Sequence, residues 1–454
     1  MRETLASRLG FILLSAGCAI GIGHVWRFPY VVGESGGGWF IPIYLLALLA
    51  LGLPVLVMEF AVGRASRRSL VSAHAALTPG CRLWGLHGLA GLVGNVFLMM
   101  FYTTVAGWML IYFCKTLAGD FVGLTPEGIG AAFGGVLADP WLQTAYMAGV
   151  CLGSAAVCLV GLRQGLERVS KVMMLALFVL IAVLAANSIL QKGASEGLKF
   201  YLVPDWERLC RKGIVTVVVS AMNQAFFTLS LGIGAMTIFG SYIGRDRTLP
   251  GEAFHVAVLD TLVAVCAGLI VIPACFAYGI EPGQGPGLIF VTLPNVFNHM
   301  SGGRLWGAAF FLFMSFAALT TVLAVFECII AGLMDALGWS RRRAGLAVAL
   351  AMPFLSLPCV FGFNLWSSFR PFGGSSNVLD LEDFVVSDLL LPAGSVAFAL
   401  YCCHRFGWGW PRFREEANAG EGPKLPNGLR LYCAYAVPAV VAVIFVLGLC
   451  RRFG

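Results

Sequence analysis

Residues 15–24 read Ser15-Ala16-Gly17-Cys18-Ala19-Ile20-Gly21-Ile22-Gly23-His24, and after one valine come Trp26-Arg27-Phe28-Pro29. Residues 226–234 read Phe226-Phe227-Thr228-Leu229-Ser230-Leu231-Gly232-Ile233-Gly234. Both stretches lie deep inside long apolar runs, and each sets glycines two residues apart among polar groups. Glycine lowers helix propensity by about 1 kcal/mol relative to alanine. In lipid, free backbone groups persist only where they face protein or a cavity. Close packing through small residues would explain one such span. Two of them, five helices apart, fit an inverted-repeat transporter whose midplane site lies between paired broken helices.

The surroundings agree with a membrane reading. Of 454 residues, 59% are hydrophobic and 12% charged, with a mean hydropathy of +0.86. A soluble chain needs about a quarter of its residues charged to cover its surface. That excludes a soluble, disordered, fibrous or nucleic-acid-binding protein and leaves the lipid bilayer as the solvent. The fourteen cysteines are scattered, mostly in apolar runs, without zinc-site spacing, and read as buried reduced thiols.

Spans of about 20 apolar residues are expected at 9–30, 38–62, 88–114, 141–161, 167–189, 212–242, 254–279, 305–337, 343–362, 378–404 and 430–450. The apolar segment near 287–300 is too short to cross and reads as a re-entrant or surface helix. With the N-terminus inside, the cytoplasmic loops hold 19 Lys and Arg against 10 on the other side, as the positive-inside rule asks. The external segment 191–212 holds five of those 10, together with Glu196, Asp205 and Glu207. It reads as an ordered loop. The expected topology has the N-terminus cytoplasmic and the C-terminus external.

Segment 16–40, AGCAIGIGHVWRFPYVVGESGGGWF, with Glu59, Gly63 and Arg64 after it, resembles the opening signature of the neurotransmitter:sodium symporters. Segment 223–234, NQAFFTLSLGIG, resembles their sixth helix, Ala317-Ala318-Leu319-Thr320-Thr321 the eighth, and LDLEDF at 379–384 the start of the tenth. The resemblance implies an all-α integral membrane protein of the LeuT-type fold with eleven transmembrane helices. Residues 1–189 would form one inverted five-helix repeat (helices 1–5) and 190–404 the second (helices 6–10). Residues 405–454 would add a cytoplasmic loop and one extra helix, and helices 1 and 6 would be broken at mid-membrane.

The resemblance also implies sites. One sodium ion would sit on the carbonyls of Gly17, Ile20 and Ala317 and the hydroxyls of Thr320 and Thr321, although buried threonines often bond back to their own helix. The second cation site would use Ala19, Thr228 and a substrate carboxylate. There, His24 and Asp260 stand where relatives carry amide oxygens. Imidazole is a poor ligand for a hard cation, so three readings stay open. His24 is a proton site replacing one sodium, or a neutral packing residue beside a vacant site, or sodium still binds through Asp260 and backbone. The carboxylate of Asp260, near positions matching the chloride ligands Tyr44 and Gln224, implies that chloride is not required.

Arg27 and Asp383 match the outer gate, with Gln224 nearby, and Arg2 and Asp335 match the inner gate, with Ser241 and Tyr242 beside it. Leu5 stands where relatives place the inner-gate tryptophan, and Leu175 where they place a fifth-helix proline. Gly21 occupies the position of the aspartate that binds substrate amines in monoamine carriers. The substrate should therefore bring its own carboxylate, as an amino acid does. It would be held by the broken-helix backbone (Ala19, Gly21, Ile22, Gly23, Phe227, Thr228) and by Tyr102. Its side chain would lie among Cys18, Leu98, Tyr102, Phe227, Ser230, Ile233, Thr321 and Val325, an apolar lining suited to a neutral, hydrophobic amino acid.

The function expected is sodium-coupled symport of a neutral amino acid by alternating access in a bacterial inner membrane. The rivals are a proton-coupled or sodium-independent carrier, and an amino-acid-sensing receptor. A channel lacks its continuous polar stripe, and no activated-nucleophile motif surrounds Ser230 to suggest an enzyme. Oligomeric state is not legible.

Overall fold

The computed structural model describes residues 3–81, 83–280 and 286–453, with the side chains of Phe227 and of 451–453 outside the description. Among these residues helices account for all the regular structure, apart from isolated bridges Gly37–Pro204 and Arg247–Glu421. Among the described residues nine helices are long and apolar enough to cross a membrane, or ten if the bent pair Arg8–Ala19 and Gly23–Glu34 counts as one span, against the eleven expected. Gly303–Leu337 lies at the centre, with 78% of its most apolar window buried, and packs along Leu83–Ala118. Leu162–Ile189 and Asn427–Cys450 are only 33% buried and turn residues such as Val172, Val179 and Val443 outward. This is how a bundle in lipid sorts its helices: apolar side chains lie on both faces, and burial follows packing position instead of polarity.

Helix Arg8–Ala19 starts at Ser7, whose hydroxyl accepts from the Gly10 N–H, and stops at Ile20, where the backbone turns extended (φ −69°, ψ 98°). The chain resumes as Gly23–Trp26 and Phe28–Glu34, bent by 56° from the first half. A similar interruption separates Ile214–Thr228 from Ala235–Gly240. Between them Ser230, Gly232 and Gly234 all take positive φ (50°, 106° and 75°), conformations that only glycine adopts freely. A side chain on Gly232 would meet the Leu391 carbonyl oxygen at 2.1 Å, so this glycine also permits a backbone contact.

Segment 191–212 forms two short helices, Ala194–Leu202 and Trp206–Lys212, the second capped by Asp205. Segment 287–300 is likewise helical and too short to span; its Phe290 stacks among Tyr112, Phe133, Trp108 and Phe311. At the opposite end of the bundle, helix Trp410–Ala417 folds back under the membrane spans. Its Glu416 accepts from the buried Arg64 through both side chain (Nε to Oε1, 2.7 Å) and carbonyl, and from Arg245 at 2.5 Å. All fourteen cysteines are free.

Candidate functional site

Where Arg8–Ala19 ends, its last carbonyls have no helical partner. Two of them, Gly17 O and Ile20 O, accept from the Thr321 hydroxyl at 3.2 and 3.1 Å, across 304 and 301 residues of chain. Thr321 also reaches Ala317 O at 3.3 Å, and Thr320 bonds back to Phe316 O and Ala317 O at 2.9 and 3.0 Å. The five oxygens expected of the sodium site are thus assembled in one buried cluster. Thr320 keeps the ordinary intrahelical bond while Thr321 bridges to the broken helix. A donor set of carbonyls and hydroxyls suits a hard cation. Gly17 permits a close approach there: an added Cβ would lie 3.2 Å from Thr320 Cβ and Met174 Sδ, so both would have to give by a few tenths of an ångström.

Beside this cluster lies a cavity of about 160 Å³. Cys18, Ala19, Gly21, Ile22, Gly23, Leu98, Tyr102, Ser230, Ile233 and Thr321 line it, as do His24, Arg27 and Asp383. Thr228 and Val325 are buried but stand outside this lining, and the Phe227 side chain lies outside the described residues. The Ile22 N–H donates to the Tyr102 hydroxyl at 3.1 Å. That same hydroxyl would lie 2.8 Å from a Cβ on Gly21, so a side chain at the position where an aspartate would bind an amine requires Tyr102 to move.

His24 and Asp260 meet directly, Nε2 to Oδ1 at 2.8 Å, and both are essentially buried. The other ring nitrogen, Nδ1, lies 3.1 Å from the Gly21 N–H and 3.1 Å from the Gly21 carbonyl. Neutral imidazole can accept from the N–H there, and imidazolium can donate to the carbonyl. Asp260 Oδ2 has no hydrogen-bond partner among the described residues. Thr228 pairs with Gln224, accepting from its amide at 3.1 Å and donating to its carbonyl at 2.6 Å. Tyr44 lies against Thr228, Thr261 and Asp260.

At the positions expected of the inner gate, Asp335 Oδ2 accepts from the Ser69 N–H at 2.6 Å. The expected partner Arg2 lies outside the described residues. Tyr242 donates to Glu327 Oε1 at 2.5 Å, and the Arg341 guanidinium grips both Glu327 oxygens at 2.7 and 2.8 Å. Glu3 stands 3.9 Å from Arg341, and the Leu5 N–H donates to the Tyr242 carbonyl at 3.2 Å. Ser241 accepts from Arg67 at 3.2 Å through its carbonyl. Leu175, where relatives place a fifth-helix proline, lies inside the regular helix Arg168–Ile189, and the wide π turn of this region comes earlier, at Leu162–Glu167.

The second interruption is held by Glu59, named in the sequence only as part of the opening signature, and by Asn95, which the sequence reading did not single out. The Gly232 N–H donates to Glu59 Oε1 at 2.5 Å, and Asn95 donates to the Ile233 carbonyl at 2.9 Å. Glu327 and Arg341 were missed too. The available signal was a carboxylate inside an apolar run, which Glu59 and Glu327 both are.

The model of the sodium:neurotransmitter symporter family matches residues 2–122 and 141–451. The chain is 35% identical over 396 residues to the uncharacterized sodium-dependent transporter YhdH of Bacillus subtilis (strain 168), covering 87% of this chain and 86% of that protein. It is 30% identical over 462 residues to an uncharacterized sodium-dependent transporter of Haemophilus influenzae, covering 99% and 98%. The crystal structure of MhsT in complex with L-phenylalanine superposes with a TM-score of 0.87 at 35% identity, over 99% of this chain and 100% of that one.

Proposed function

The chain belongs to the sodium:neurotransmitter symporter family and is a sodium-dependent multi-pass membrane transporter, and from that premise we propose that it carries a neutral, hydrophobic L-amino acid inward with sodium. The observation that carries this reading is the junction at Thr321. One hydroxyl there ties the carbonyls of the broken helix to Gly303–Leu337, immediately beside a small cavity that Gly21 leaves without a helix-1 carboxylate. The substrate supplies that carboxylate, held by the Ile22 region and Tyr102, and its side chain rests against Leu98, Phe101 and Ile233. The presence of L-phenylalanine in MhsT supports an amino acid of this kind.

One sodium binds at Gly17, Ile20, Ala317, Thr320 and Thr321. At the second position His24 and Asp260 form an ion pair, and a proton on His24 takes the place of the other sodium. The fixed charge of Asp260 makes chloride unnecessary. Nine long apolar helices and the bent pair Arg8–Ala19 and Gly23–Glu34 make ten spans among the described residues, and in this reading the interrupted segment 214–240 is the eleventh. Residues 1–189 and 190–404 are the inverted repeats, 405–454 carry the cytoplasmic segment and the eleventh span, and the protein lies in a bacterial inner membrane with its N-terminus cytoplasmic. Arg27 with Asp383 closes the outer side, and Arg2 with Asp335 the inner.

The test is the melting temperature of the purified protein against a panel of amino acids in sodium or potassium. A ligand that binds only the folded state raises it by mass action. A rise with hydrophobic amino acids in sodium alone is expected. An equal rise in potassium would overturn sodium coupling at Thr321 and bring forward the proton-coupled carrier, which the His24–Asp260 pair favours among the rivals.

A further inference from the structure

Helix Val378–Asp383 ends in two acidic residues that face different spaces. Asp383 lines the central cavity. Glu382 lines a separate groove of about 500 Å³, walled by Phe97, Met100, Pro358, Trp366 and Phe369. The Glu382 residue is 3% exposed, and among the described residues neither carboxylate oxygen has a hydrogen-bond partner. The Cys359 thiol lies beside it, but a thiol is a weak donor. A carboxylate withdrawn from water without a cation is costly, and hydrocarbon tails against the groove's rim do nothing to offset that.

Apart from the Ser368 hydroxyl, what the groove offers around this carboxylate is aliphatic and aromatic. Phe97 forms one wall, and Trp366 and Phe369, 46% and 49% exposed, stand at the mouth. Ring faces attract cations, more strongly when desolvated, and quaternary ammonium groups are recognised in this manner. The volume falls within the range of small-molecule sites.

We propose that this groove is a second binding site, taking an organic ammonium with its charge on Glu382 and its apolar body against Trp366 and Phe369. A free amphiphilic amine and the amine headgroup of a phospholipid share that chemistry. Because Glu382 and Asp383 are consecutive in one helical turn, occupancy fixes the helix that carries the acidic wall of the central cavity.

The full-length protein in detergent is titrated with phenyltrimethylammonium, a permanent cation, and with its neutral isostere tert-butylbenzene, reading melting temperature. A saturable rise is expected with the cation alone, its midpoint moving about tenfold or more in Glu382→Gln and Trp366→Ala and holding in Tyr102→Phe. An unchanged midpoint in Glu382→Gln, or an equal response to tert-butylbenzene, overturns the site. A response abolished by Tyr102→Phe also overturns it, because the cation then sits in the central cavity. If Glu382→Gln does not fold, Trp366→Ala, at an exposed loop position, decides alone. In vesicles, a response lost only when phosphatidylethanolamine joins phosphatidylglycerol identifies the lipid amine as the ligand. A response kept in both identifies a free amine.

Discussion

His24 and Asp260 touch at 2.8 Å across 236 residues of chain, joining the far half of the first broken span to helix Leu249–Ala277. The same imidazole faces both the N–H and the carbonyl of Gly21, a cavity residue. The charge state of His24 therefore decides which backbone group of Gly21 it engages, beside the place where a substrate carboxylate would lie.

Imidazolium supplies the positive charge that a second sodium would bring, so lowering pH should tighten amino-acid binding. The wild type should bind more tightly at about pH 6 than at about pH 8 if the proton on His24 is the second coupled cation. His24→Asn should flatten that dependence and raise the sodium Hill coefficient from about one to about two, as an amide oxygen restores a hard ligand. Sodium titrations of amino-acid binding at the two pH values check both. A pH dependence that survives in His24→Asn would sink the proton role.

Removing one partner of a buried pair leaves the other charge stranded, at a cost of about 3–5 kcal/mol. His24→Asn, which takes the cation away from a fully buried carboxylate, should therefore lower the melting temperature in sodium-free buffer well beyond Asp260→Asn, which leaves an imidazole free to stay neutral beside the new amide. Thermal unfolding of the two variants, in matched detergent, reads the difference.

Thr321→Ala removes the hydroxyl that reaches three carbonyls. The stabilisation by sodium, about 2.7 kcal/mol at a hundredfold excess over Kd, should vanish, while Thr320→Ser retains most of it. Melting curves in rising sodium, with potassium balancing ionic strength, separate this loss from general destabilisation.

Gly21→Asp should not convert the protein into an amine carrier. The new Cβ would stand 2.8 Å from the Tyr102 hydroxyl, displacing the ring that accepts from Ile22. Binding of L-phenylalanine should weaken at least about tenfold, or 1.4 kcal/mol, with no gain for phenethylamine. Competition binding with both compounds tests it.

Glu327→Gln should loosen the end of the bundle around Tyr242, since Tyr242 and Arg341 both converge on that carboxylate. A cysteine reporter at Ser241 should label faster than in the parent, by about tenfold for each 1.4 kcal/mol lost from the closed state. Unchanged labelling would assign the cluster to static bracing.

The bundle was readable because its signals are local. Twenty-residue apolar runs mark spans, and Gly21-Ile22-Gly23 and Gly232-Ile233-Gly234 mark where two of them stop being helices. The Thr320-Thr321 pair was readable through its motif. The braces around these breaks were less so, since Gly232 and Glu59 are 173 residues apart, and Tyr242 and Glu327 are 85. No periodicity reports which buried carboxylate meets which glycine. The turn at Leu162–Glu167 was hidden for another reason: a single extra residue in a helical turn leaves almost no compositional trace.

The clasp between Arg64 and Glu416 imposes a schedule on the making of this protein. The guanidinium is 1% exposed in the finished fold, and its carboxylate lies 352 residues downstream. At ordinary synthesis rates of about 5–20 residues per second, the second span waits roughly 20–70 s for its counter-charge. Through that interval Arg64 must hold its head group at the membrane surface on its aliphatic stem. The Arg64 end of the second span can lock only after residue 416 has left the ribosome, which makes that segment a late partner in the assembly of an early span.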